Sequence, residues 1–129
     1  MMAEKRYVKL DWNKCGWRNG RPGGRNQGFN EADSMTIGMA EMVTGHPVAP
    51  HTHVYEQVMF LPAGDADLIL GDDVMPVHGG MMIAIPPELK HGLMVKGKET
   101  LINFDFFFPK RDDRVSSKIL PGFAGEEAE

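Results

Sequence analysis

His51-Thr52-His53-Val54-Tyr55-Glu56-Gln57 runs directly into Val58-Met59-Phe60-Leu61 and stops at Pro62-Ala63-Gly64. In an extended chain, two imidazoles one residue apart share a face, because strand side chains alternate with period two. Read as one strand over 51–61, the alternation puts His51, His53, Tyr55, Gln57, Met59 and Leu61 on one side. Glu56 falls on the other. A divalent ion on the histidine side would then meet two imidazoles and the Gln57 amide oxygen, not the Glu56 carboxylate. Neutral imidazole is a common ligand for transition metals.

The same β-type pattern continues on both sides of this stretch. Short apolar or alternating segments cover 34–43, 65–70, 74–77, 81–85, 92–95 and 100–108. Turn residues separate them: Gly71-Asp72-Asp73, His78-Gly79-Gly80, Pro86-Pro87 and Lys96-Gly97-Lys98. Strands this short with such joints predict an all-β antiparallel sandwich or barrel rather than βαβ units. Residues 11–30 hold Gly16, Gly20, Gly23, Gly24 and Gly28 among Arg and Asn, and read as irregular. The resulting division is an N-terminal arm over 1–33, a β-barrel over 34–115, and a short C-terminal segment over 116–129. A helical turn is expected at 116–120, before an acidic tail.

A chain of 129 residues suits one domain with one core, and 42% apolar with 25% charged residues fits an ordinary globular protein. No apolar run approaches the roughly 20 residues needed to cross a bilayer, so no membrane partner is expected. Cys15 is the only cysteine, which rules out an intrachain disulfide. With no apolar leader at the N-terminus, a reducing, cytoplasmic setting is the simpler expectation. The net charge of −4 is uneven, since residues 1–25 carry +5 and the rest −9. A basic arm can attract anions or lie against an acidic body. Trp12 and Trp17 bring no recognisable RNA-binding motif, so a small molecule is the expected partner and nucleic acid is not.

A third imidazole comes from His91, after Ile85-Pro86-Pro87-Glu88-Leu89-Lys90, where a proline-bounded turn returns the chain beside the first strand. His46, before Pro47, and His78, in a Gly turn, read as surface positions. A closed structural zinc site would call for several cysteines, which are absent here. Three imidazoles and one amide leave coordination positions open for water or substrate. In the strand over 100–108, alternation sets Leu101, Asn103, Asp105 and Phe107 against Ile102, Phe104, Phe106 and Phe108. The second, apolar set is expected to pack between sheets or against a partner subunit. If the first set faces the interior, Asp105 is a buried carboxylate that needs a cation or a functional reason.

The spacing Gly45-x5-His51-x-His53-x3-Gln57-x6-Gly64 resembles the first cupin motif, with Gln57 where Glu is usual. Gly80-x5-Pro86-x-Glu88-x2-His91 resembles the second, with Glu88 in place of its usual Gly and Val95 in place of its usual Asn. The resemblance implies a cupin-type jelly-roll barrel, ordinarily dimeric. It also implies one divalent transition metal (Zn, Ni, Mn or Fe) held by His51, His53, Gln57 and His91. A neutral Gln ligand leaves the ion its full charge and favours Lewis-acid work over oxygen activation.

A narrower likeness, His51-x-His53-x2-Glu56-Gln57 with a later Asp105-x-Phe107-x-Pro109-x-Arg111-x-Asp113, resembles the cupins that linearise unsaturated uronates in pectin and alginate breakdown. That likeness implies Asp105 as acid/base and Arg111 near a substrate carboxylate. Tyr55, on the histidine face, completes the candidate catalytic set. The expected activity is isomerisation, ring opening or lyase chemistry on a small oxygenated molecule. A metal-dependent dioxygenase and a non-catalytic ligand-binding cupin are the alternatives. Met35, Met39, Met59, Met81, Met82 and Met94 are expected to line or pack the barrel.

Overall fold

The computed structural model describes residues 7–11, 13–19 and 22–111. The expected C-terminal turn and acidic tail lie outside them. Among the described residues nine strands form: β1 (Arg18–Asn19), β2 (Gly24–Phe29), β3 (Thr36–Met42), β4 (Glu56–Ala63), β5 (Asp65–Leu70), β6 (Asp73–His78), β7 (Met81–Ile85), β8 (His91–Lys96) and β9 (Leu101–Phe108). All pairings are antiparallel. They build a six-stranded sheet, β1-β2-β3-β9-β4-β7, and a three-stranded sheet, β6-β5-β8. Among the described residues no helix is long and apolar enough to cross a membrane.

Alternation explains how the two sheets face each other. From the large sheet, Met59, Leu61, Ile85 and Leu101 point inward; from the small one come Ala66, Leu68, Val77 and Val95. These eight side chains are buried and form the dry core. The opposite face of the large sheet is also apolar. Register places Ile37, Phe106 and Val58 in one row, and Met39, Phe104, Phe60 and Met82 in the next. The Phe60 and Phe104 rings meet edge to face, with centroids 6.3 Å apart. The set Ile102, Phe104, Phe106 and Phe108 therefore lies outside the sandwich, not between the sheets.

Three sequence expectations change. Part of the segment read as irregular pairs into the sheet, because β2 matches β3 residue for residue from Gly24–Met42 to Phe29–Ile37. Its glycines hid a strand whose hydrogen bonds need no apolar side chains. The segment over 51–61 is not one strand, since β4 begins at Glu56 and His51 makes only an isolated bridge to His91. Two of the methionines are also misplaced: Met82 is 69% exposed and Met94 45%, whereas Met39 and Met59 are buried.

Gly64 closes the β4–β5 turn with φ of +103°, and a Cβ there would lie 2.6 Å from the Leu101 Cα. Both the left-handed backbone and the close approach demand glycine. Gly64→Ala is expected to cost at least about 2 kcal/mol, from backbone strain plus overlap with Leu101. Urea unfolding checks it, and a midpoint equal to that of the parent would contradict this packing.

Candidate metal centre

Two chain segments deliver the three histidines to one end of the sandwich. His51 and His53 lie in the loop that enters β4, and His91 opens β8 in the other sheet. Paired backbone bonds fix the two lips: His51 N–H donates to the His91 carbonyl at 3.0 Å, and His91 N–H returns the bond at 3.0 Å. Glu88 N–H donates to the His53 carbonyl at 2.8 Å. Glu88 adopts φ of 71°, which explains why the resembling motif usually has glycine at that position. The ring centroids of His51 and His53 lie 4.5 and 4.8 Å from that of His91. One nitrogen from each ring falls within 4.8 Å of the others, a spacing that could hold a metal ion.

The protons on these rings are fixed by carbonyl oxygens, which only accept. Nδ1 of His51 faces the Ala49 carbonyl at 3.0 Å, that of His53 the Tyr55 carbonyl at 3.0 Å, and that of His91 the Leu89 carbonyl at 2.8 Å. Each Nδ1 therefore carries the hydrogen and each Nε2 presents a lone pair, the arrangement expected behind metal-bound imidazoles. His91 is 2% exposed and its Nε2 has no hydrogen-bond partner.

Gln57 is buried at the start of β4, and its Nε2 donates to Asp105 Oδ1 at 2.6 Å. With the nitrogen so engaged, Oε1 is left facing His53 Nε2 at 2.9 Å. Two acceptors then point at each other, a contact that a cation between or beside them relieves. The donor set therefore fits a divalent metal held by His51, His53, Gln57 and His91. Glu56, on the other face, is exposed.

Asp105 also accepts from Asn103 Nδ2 at 2.9 Å, so both of its oxygens are engaged. Arg111, which a mixed-charge run could have left on the surface, is 7% exposed. Its guanidinium lies 4.9 Å from the centre of the Tyr55 ring and 4.4 Å from that of Phe107. Its backbone N–H donates to Thr36 Oγ1 at 2.8 Å. Asp105, Tyr55 and Arg111 thus gather around the histidine cluster. A cavity of about 190 Å³ opens beside it, lined by His51, Gln57, His91, Asp105 and Phe107 and also by Asn26, Ala40, Met42, His46 and Asn103. His46 and Asn26 were missed in the sequence; only the β2–β3 pairing that brings them here reveals them.

The fold of two facing antiparallel sheets is similar to that of solved cupin structures. A RmlC-like cupin from Shewanella frigidimarina is similar over 88% of this chain and 98% of its own, with TM-score 0.73 and 18% identity. KdgF from Halomonas sp. is similar over 81% and 96%, with TM-score 0.71 and 20% identity. Bacillus subtilis oxalate decarboxylase, a protein with Mn(II) centres, matches 84% of this chain and 31% of its own, with TM-score 0.70 and 14% identity. No protein-family model matches the chain, and no curated protein sequence does.

Burial pushes the His91 imidazole below the ordinary histidine range; His51, His53 and Arg111 push the same way, and the Leu89 carbonyl opposes them. A lowered value in the folded state means that the unfolded chain takes up the proton first as pH falls. The metal-free protein is therefore expected to lose stability as pH drops below about 6.5, until the folded imidazole also protonates. Melting temperatures of the metal-free protein and of His91→Gln across pH 8 to 5 test this. Equal slopes in the two proteins would exclude His91 as the cause.

Proposed function

We propose that the protein is a metal-dependent enzyme acting on a small oxygenated molecule, with a sugar acid as the favoured substrate class. The observation that carries the reading is the facing pair of acceptors, His53 Nε2 and Gln57 Oε1, beside the unpartnered His91 Nε2. A metal bound there would supply Lewis acidity, polarising a carbonyl or hydroxyl oxygen. The chain's residues do the rest. Arg111, seated against Tyr55 and Phe107, would pair with a substrate carboxylate, for which its planar fork is well suited. Asp105 lines the cavity and takes up and returns the proton of an isomerisation, ring opening or elimination. Tyr55 orients Arg111 and, through its carbonyl, His53.

Two supports lie outside the geometry. The sequence resembles the uronate-linearising cupins at Asp105, Phe107, Pro109 and Arg111. The fold also serves, in oxalate decarboxylase, a reaction on a small dicarboxylate. Purified protein is expected to hold about one divalent metal per chain, and His51→Ala to lose it together with at least about 100-fold in turnover of unsaturated uronates, without oxygen uptake. Metal analysis and assays under nitrogen check this. Full activity in a metal-free His51→Ala protein would sink the proposal, and oxygen consumption would replace it with a dioxygenase.

We further propose that the chain pairs with a second copy through the outer face of the large sheet. Aromatic and aliphatic rows span β3, β9, β4 and β7 there, and Phe108 is 51% exposed. Contiguous apolar surface of this kind marks an interaction site. Light scattering is expected to give twice the chain mass, and Met82→Glu with Phe108→Glu to give one. A parent protein that is monomeric at micromolar concentration would rule the interface out.

A further inference from the structure

The cavity continues past the metal ligands, and its far end has a different chemistry. Successive inward positions along β9 are Phe107, Asp105, Asn103 and Leu101, each about 6.7 Å from the last at two residues per step. The Phe107 row faces Gln57 on β4, while the Asn103 row runs to Ala40 on β3 and Asn26 on β2. Two amide side chains therefore flank a single methyl group on one sheet face, and all three residues line the cavity. Ala40 is the gap that keeps this end open.

Asn103 is only 3% exposed, and its orientation is set. Nδ2 donates to Asp105 Oδ2 at 2.9 Å, so the oxygen cannot exchange places with it without meeting a carboxylate. Oδ1 is left buried and accepts no hydrogen bond from the protein. An unmet buried acceptor is a liability in a folded chain, and such groups ordinarily have an assignable reason. His46 adds a second acceptor at this end. Its Nδ1 faces the Pro22 carbonyl at 2.9 Å, which leaves Nε2 with the lone pair. Glycine at residue 24 leaves room for the ring, since a Cβ there would lie 2.8 Å from it.

We propose that Asn103, with His46 and Asn26, forms a specificity subsite that reads a hydrogen-bond donor on the ligand, a hydroxyl set about one strand step beyond the metal-bound end. The subsite rests on the reading of the cavity as the substrate site of a metal centre. It deepens that reading by requiring a polyhydroxylated acid rather than a simple keto or dicarboxylic acid. A ligand presenting a carbonyl or a methyl at this point leaves Asn103 Oδ1 unmet. A hydroxyl satisfies it. Sites built to bond a hydroxyl discriminate strongly against analogues that lack it.

Gluconate and its four deoxy analogues, each lacking one hydroxyl beyond the α-hydroxy acid, test the subsite by calorimetry on zinc-loaded protein. One analogue is expected to bind the parent at least about tenfold more weakly than gluconate does, the effect of one net hydrogen bond. Asn103→Ala is expected to shrink that ratio to within about twofold. Ala40→Leu, which fills the gap while leaving the Asn103–Asp105 bond in place, is expected to do the same, and it carries the test if Asn103→Ala does not fold. A parent that treats the five ligands alike, or a ratio retained in both variants, overturns the subsite. The two readings fail separately. Zinc uptake without discrimination removes the subsite and leaves the metal centre. Discrimination in a protein that takes up no zinc removes the metal enzyme and leaves the subsite.

Discussion

Everything at the functional end of the molecule depends on which way round the Gln57 amide sits, and Asp105 decides that. An amide can turn its oxygen or its nitrogen toward the histidines, and only the oxygen can ligate a cation. The bond from Gln57 Nε2 to Asp105 at 2.6 Å removes the choice. Asp105 is held in turn by Asn103, so one chain of buried polar groups runs from the metal ligands on β4 to the cavity on β9. Buried networks of this kind stabilise only when every member is satisfied. This one ends at Asn103 Oδ1, which has no protein partner and belongs to a residue that lines the cavity.

The division between the sheets has a physical basis as well. Core residues from both sheets close one end of the sandwich with aliphatic side chains, while the other end admits polar groups and a cavity. His51, His53 and Gln57 belong to the large sheet or the loop entering it, and His91 to the small one. The paired backbone bonds between His51 and His91 bring those two sources together. The histidine cluster is therefore a junction between sheets, supported by main chain on both sides.

Much of this was legible in the sequence, for reasons that individual residues make plain. Gln57 over Glu56 follows from parity within β4, and Asp65–Leu70 and Met81–Ile85 are strands at the positions their turn residues delimit. Parity was extended too far at His51 and His53, which converge through a loop and a single bridge rather than a continuous strand. The β2 strand was invisible because its glycines and amides carry no apolar alternation, although its backbone pairs with β3 throughout. Arg111 stood out only through the motif it shares with the uronate-linearising cupins, since its own neighbours are a mixed-charge run; its seat against Tyr55 and Phe107 comes from where β9 ends. His46 read only as a surface position for a different reason: its neighbours in space, Pro22 and Gly24, are far away in sequence.

The strand β9 has one further consequence. Its inward set contains an asparagine and an aspartate, whereas its outward set is isoleucine and three phenylalanines. A shift of one residue would exchange the two sets, and by apolar content alone the wrong strand would be the better buried one. Hydrophobicity therefore works against the native register at this place. Side-chain hydrogen bonds from Gln57 and Asn103 to Asp105 oppose the slip, and so would cover for the outer face. A newly made chain thus faces a sorting problem that its most aromatic strand makes worse.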